Sequence, residues 1–135
     1  GGMAFSNAGV ALVHALEYPM GGALHCSHGA GNGLLLPYVM RFNLPTRKEA
    51  FGRIASLLGQ DLDGLSGDET AQSAIEAVED LRCRIGIPER IRDLGGREEQ
   101  LPVFAEKAFA LDRLKGVNPR EVTLEDLEHI LRDAF

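Results

Sequence analysis

A chain of 135 residues with 44% hydrophobic and 25% charged side chains is long enough for one domain with a real apolar core, and its composition is ordinary for a globular protein. Fourteen basic residues against twenty acidic ones leave a net charge of −6, and no stretch interleaves Lys or Arg with aromatics, which argues against nucleic acid or an anionic membrane surface as partner. No apolar run reaches the roughly 18 residues of a membrane span, no basic residue precedes the N-terminal apolar stretch as a signal peptide requires, and the two cysteines, Cys26 and Cys83, fit reduced thiols in a cytoplasm.

Gly1-Gly2-Met3 carries no structural signal. The apolar run from Ala4 to Leu16 has helical character, with Ser6 and Asn7 at its start, and predicts a first helix to about Tyr18 that stops at Pro19. Gly21-Gly22-Ala23-Leu24 reads as a turn. His28 to Asn43 reads as a second buried helix, kinked at Pro37. Gly29, Gly31 and Gly33 are poor helix formers, and their alternate spacing implies that another helix or a ligand approaches the backbone there.

After Leu44-Pro45 the composition changes. Thr46 is expected to cap a helix of about 48–58 that Gly59 ends, and Asp61 to Gly67 is a polar loop. Asp68 opens an amphipathic helix to about Ile85, followed by a break at Gly86-Ile87-Pro88 and a short helical turn through Ile91. Glu98 to Lys115 reads as one amphipathic helix. Thr123 with Asp126 three residues on is a capping-box signature for a last helix that turns Leu124, Leu127, Ile130, Leu131 and Phe135 inward. No strand-like alternation occurs, so the fold class is all-α: one helical domain over residues 1–135, with 1–45 supplying buried, site-forming helices and 46–135 amphipathic ones.

Only Glu17 and Arg41 are charged in the first 45 residues, yet three of the four histidines lie there, so the stretch reads as interior with imidazoles in it. A buried polar group without a partner costs about 1–3 kcal/mol, and either main-chain oxygens or a metal ion would satisfy His14 and His28. Histidines projecting from helices into a helical core are one way to build a metal site, and satisfied core histidines are the alternative. Cys26 is either a soft ligand or a small apolar filler. His129 falls on a charged helix face and reads as solvated. Gly29-Ala30-Gly31-Asn32-Gly33 lacks the preceding strand and the lysine of a nucleotide loop.

Ala4-Phe5-Ser6-Asn7-Ala8-Gly9, His14-Ala15-Leu16, Pro19-x-Gly21-Gly22 and His25-x-x-His28-Gly29-x-x-Asn32-Gly33-Leu34-Leu35-Leu36-Pro37-Tyr38-Val39-Met40-x-x-Asn43 resemble the metal-binding signature of the iron-containing (group III) alcohol dehydrogenases. Asn118-Pro119-Arg120 and the acid-rich helix after it resemble that family's C-terminal end. The resemblance covers essentially the whole chain. It implies the later part of a helical bundle like the dehydroquinate synthase-like C-terminal domain, with the NAD- or NADP-binding domain absent from this chain.

By this resemblance, His14 and His28 match the last two ligands of a divalent metal, iron or alternatively zinc. The first two ligands, an Asp and a His, have no counterpart here. The metal would act as a Lewis acid on a small alcohol or aldehyde while hydride passes to or from the nucleotide. Many members carry a histidine four residues after the first ligand. That position is Tyr18 here, and a phenol holds its proton more tightly than imidazole near neutral pH. Tyr18 and His25 are therefore the candidates for acid–base or substrate contact. The Tyr18-Pro19 pair also resembles the hydroxyacid–oxoacid transhydrogenase branch. Two other readings are a non-catalytic interaction or oligomerisation module and a small metallohydrolase using His14, His25 and His28. The chain alone is expected to be inactive, to expose an apolar, His-lined surface, and to form homo-oligomers through it.

Overall fold

Helix follows helix through all 135 residues of the computed structural model, and no strand forms. The α-helices are α1 (Gly2–Ala8), α2 (Leu12–Leu24), α3 (His28–Leu57), α4 (Gly67–Arg84), α5 (Leu101–Phe109), α6 (Asp112–Lys115) and α7 (Leu124–Asp133), with 3₁₀ turns at Ile91–Leu94 and Glu98–Gln100. None is long and apolar enough to cross a membrane.

Two apolar cores form. The larger joins Leu12, Leu16 and Met20 of α2 to Leu34, Leu35 and Val39 of α3, and to Phe104, Leu127 and Leu131 of α5 and α7. The smaller lies between α3 and α4 and comprises Met40, Phe51, Ala55, Ala71, Ala74 and Ile75. Helix α3 runs through both, crossing position 45.

Pro19, which should end a helix, does not. Helix α2 continues through Pro19, and Gly21-Gly22-Ala23-Leu24 is its last turn rather than a loop. In α3 the backbone stays helical at Pro37 and breaks instead at Arg47, two residues after Pro45. An interior proline costs about 3 kcal/mol, but fully burying one Leu or Met returns about 1.5–3 kcal/mol. Leu16 and Met20 flank Pro19, and Leu34 and Leu35 precede Pro37, all at 0% exposure. Tertiary burial therefore wins.

The break at Arg47 means that Thr46 caps no helix start; its hydroxyl donates back to the Asn43 carbonyl at 2.8 Å. The expected first helix is two helices, α1 and α2, divided at Gly9, whose φ of 77° only glycine adopts freely. The expected helix from Glu98 to Lys115 is likewise divided at Ala110 and Leu111.

The two ends of the chain are tied through α3. Asn43 and Asn118 exchange side-chain amide hydrogen bonds at 2.9 and 2.8 Å. Arg120 donates to the Phe42 carbonyl at 2.8 Å and lies 4.0 Å over the Phe42 ring. Both helices that begin at a Ser or Thr with an acid three residues on, α4 at Ser66 and α7 at Thr123, carry complete capping boxes.

At Asp126 burial pushes the carboxyl up, but hydrogen bonds from the Thr123 hydroxyl and amide, with Arg120 and His129 nearby, hold it below the ordinary 3.8. A depressed carboxyl stabilises the fold fully above its unfolded value and loses that contribution as pH falls through its folded value. Thr123→Ala is expected to lower stability by about 1 kcal/mol at neutral pH. It should also flatten the loss of stability below pH 3.8 relative to the parent. Denaturant melts at stepped pH values check both.

Candidate functional site

An open groove of about 910 Å³ runs between α1 with the loop after it, α2, the first residue of α3, and α6. Its walls include Phe5, Val10, His14, Tyr18, His28 and Leu114. His14 and Tyr18 stand four residues apart on α2, so they share a face of that helix. His28 opens α3 directly after Ser27, whose hydroxyl accepts from the Ala30 amide at 3.3 Å and so fixes where the helix begins.

The three rings meet. His14 and His28 have centroids 5.2 Å apart, Tyr18 lies edge-on to His14 at 6.1 Å, and Tyr18 stacks on His28 at 6.0 Å with 22° between the planes. Burial first, and the neighbouring His28 second, hold His14 below the usual imidazole value of 6.5, against an opposing pull from Glu17. His14 is therefore neutral near pH 7, with a lone pair to offer.

Two expectations about burial are corrected. His28 is not in a dry interior but on the groove surface, with its side chain 59% exposed. His25 is exposed and is the C-terminal cap of α2, with φ 53° in the left-handed region, and it does not line the groove. No three His, Cys, Asp or Glu side chains converge on one point, so the three-ligand set His14, His25 and His28 of a metallohydrolase does not assemble.

Cys26 is a filler. Its sulfur lies 3.4 Å from where a Cβ on Gly31 would stand, and burial together with the Glu17 charge pushes its thiol up, away from the thiolate a soft ligand needs.

The residue that sequence reasoning passed over is Glu17. It is 4% exposed, and its Oε2 lies 2.7 Å from Nδ1 of His28. Gly21 of α2 and Gly31 of α3 make room for it: a Cβ on Gly31 would stand 2.7 Å from the Glu17 Cγ, and one on Gly21 would overlap Glu17 Oε1. The alternate glycines thus separate by cause. Gly31 faces Glu17, a Cβ on Gly33 would stand 2.5 Å from the Ile87 Cδ1, and Gly29 faces open space. The available signal was that Glu17 is the single acid in an apolar helix, three residues after His14. Asn32 braces the same histidine. Its side-chain amide donates to the His28 carbonyl at 2.8 Å and lies 3.2 and 3.3 Å from the two ring nitrogens, a near-equal pair of distances that puts it over the ring face.

An all-helical domain with two imidazoles facing each other across a groove wall is the class of protein defined so far. The chain belongs to the iron-containing alcohol dehydrogenases: it matches the family model "Fe-containing alcohol dehydrogenase family, C-terminal" over residues 1–135. It is 41% identical to the lactaldehyde reductase of Escherichia coli (strain K12) and 42% identical to the 1,3-propanediol dehydrogenase of Citrobacter freundii, each over 99% of this chain. It covers 35% and 34% of those two proteins, and so spans about a third of their length. A crystal structure of a 1,3-propanediol oxidoreductase superposes with a TM-score of 0.95 at 42% identity, over 99% of this chain and 35% of that one.

Because Glu17 is confined on all sides, Gly31→Ala is expected to destabilise the fold by about 1–3 kcal/mol. In a Glu17→Ala background the same change should cost well under half as much, because the side chain it collides with is gone. Thermal melts of the two single variants and the double variant measure that coupling.

Proposed function

We propose that the groove is the metal-ligating wall of an alcohol dehydrogenase site that interconverts small alcohols and their aldehydes or ketones with NAD or NADP, and that His14 and His28 are two of the metal's ligands. The observation that carries this reading is the pair of imidazoles 5.2 Å apart at the groove, one of them held neutral by its surroundings. Imidazole ligands suit iron(II) or zinc(II), and two of them leave further positions for ligands from outside these residues.

Most of the relatives' names support the substrate class: lactaldehyde, 1,3-propanediol and methanol are small, one relative is named for long-chain alcohols, and both an NAD-dependent and an NADPH-dependent enzyme occur among them. A divalent cation bound here supplies Lewis acidity toward the substrate oxygen. The chain's own residues do the rest. Phe5, Val10 and Leu114 present apolar surface that excludes water from the carbon skeleton. Tyr18, 47% exposed and stacked on His28, is placed to carry a proton between the substrate oxygen and solvent. His25, off the groove, is left to its capping role.

The nucleotide-binding part belongs, in this proposal, to residues outside these 135 and faces the groove. The exposed Met3 and Phe5, at 84% and 59%, provide apolar surface for that part or for a second copy. Light scattering on the 135-residue chain is expected to show dimers or larger species.

In the full-length polypeptide carrying this chain, His14→Ala and His28→Ala should each strip bound iron or zinc. They should lower NAD(P)-linked oxidation of 1,3-propanediol by more than the roughly 10- to 100-fold typical of outer-shell changes. Tyr18→Phe should keep the metal and lower kcat about 100-fold. Metal content and dehydrogenase rates together check these outcomes; full metal retention in both histidine variants overturns the ligand assignment.

A further inference from the structure

We propose that Glu17 is a positioning residue for His28: its carboxylate accepts the Nδ1 proton, so that Nε2 keeps its lone pair and the ring is held toward the groove before any cation arrives. This rests on the reading of His28 as a metal ligand. Left to itself, a ring that is 59% exposed at the first position of a helix would sample several rotamers and both tautomers. Here it is gripped at Nδ1 by Glu17 at 2.7 Å, covered on its face by the Asn32 amide, and stacked by Tyr18. None of these contacts occupies Nε2 in the ring plane.

The other roles open to Glu17 do not fit. It is not a ligand, because its side chain is 5% exposed and is absent from the groove wall. A purely architectural acid would be a poor choice, since a carboxylate in an apolar interior is costly unless it is paired. The chain nevertheless keeps glycine at two positions, on two helices, where any Cβ would drive this one side chain out of place. The niche is therefore shaped to the carboxylate, and the only side-chain group the carboxylate meets by hydrogen bond is His28. A carboxylate behind a ligating imidazole orients the ring and raises its basicity, and losing one typically weakens metal binding 10- to 100-fold.

The test is ¹⁵N NMR of the imidazole side chains in the full 135-residue chain, well above the usual imidazole range, combined with Zn²⁺ titration. The variants are Glu17→Gln, Glu17→Ala and Glu17→Met, the last keeping the volume without an acceptor. In the parent and in Glu17→Gln, whose amide oxygen still accepts, His28 is expected as the Nδ1–H tautomer. In Glu17→Ala and Glu17→Met it should shift toward the Nε2–H tautomer, and Zn²⁺ affinity should fall about 10- to 100-fold. If Glu17→Ala does not fold, Glu17→Met alone decides. An unchanged tautomer in the folded apolar variants overturns the proposal, and so does a changed tautomer with unchanged Zn²⁺ affinity. His28→Ala separates the two readings. Undiminished Zn²⁺ binding in that variant sinks the ligand assignment, while the tautomer data still report whether Glu17 holds the ring.

Discussion

A lone carboxylate in an apolar helix has to be housed, and the seam between α2 and α3 is arranged around that need. Glu17 sits where burial would be prohibitive without a partner, and its one hydrogen-bonded side chain is the histidine that opens the next helix. Gly21 and Gly31 set how closely the two helices approach at that point. The turn from α2 to α3 is correspondingly tight, with His25 in the left-handed region and Ser27 capping the new helix, so His28 comes back beside His14. The meeting of the two rings follows from where the acid is stored.

Much of this was legible in the residues, and what was not has a common cause. The all-helical class, α4 and the capping box of α7 are local in origin, and local signals report them. The pairing of His14 with His28 came through resemblance to a family signature, since two histidines fourteen residues apart carry little by spacing alone. Glu17 was not read as part of the site because its partner lies eleven residues away across a turn, and one acid in an apolar run has no period to reveal it. Pro19 misled because its rule is local while the burial of Leu16 and Met20 is not. The division at Ala110 and Leu111 was hidden for a different reason: apolar residues continue past the break at Leu111 and Leu114, with neither glycine nor proline to mark it.

The resemblance at the two ends of the chain acquires a physical meaning in the Asn43–Asn118 pair. Each amide satisfies the other, and Arg120 adds a bond to the Phe42 carbonyl, so the Asn118-Pro119-Arg120 turn is fastened to the middle of α3. Leu114 of α6, a few residues before that turn, is one of the residues that line the groove. A motif remote from the histidines is tied to the same helix that His28 opens.

The two apolar clusters threaded on α3 differ in size, eighteen buried residues against six, and the interruption of that helix at Arg47 falls within the span of the smaller, between Met40 and Phe51. Cooperative units within one fold open at different free energies. The break thus lies away from α2 and the start of α3, and the helices that carry His14 and His28 are seated on the larger cluster.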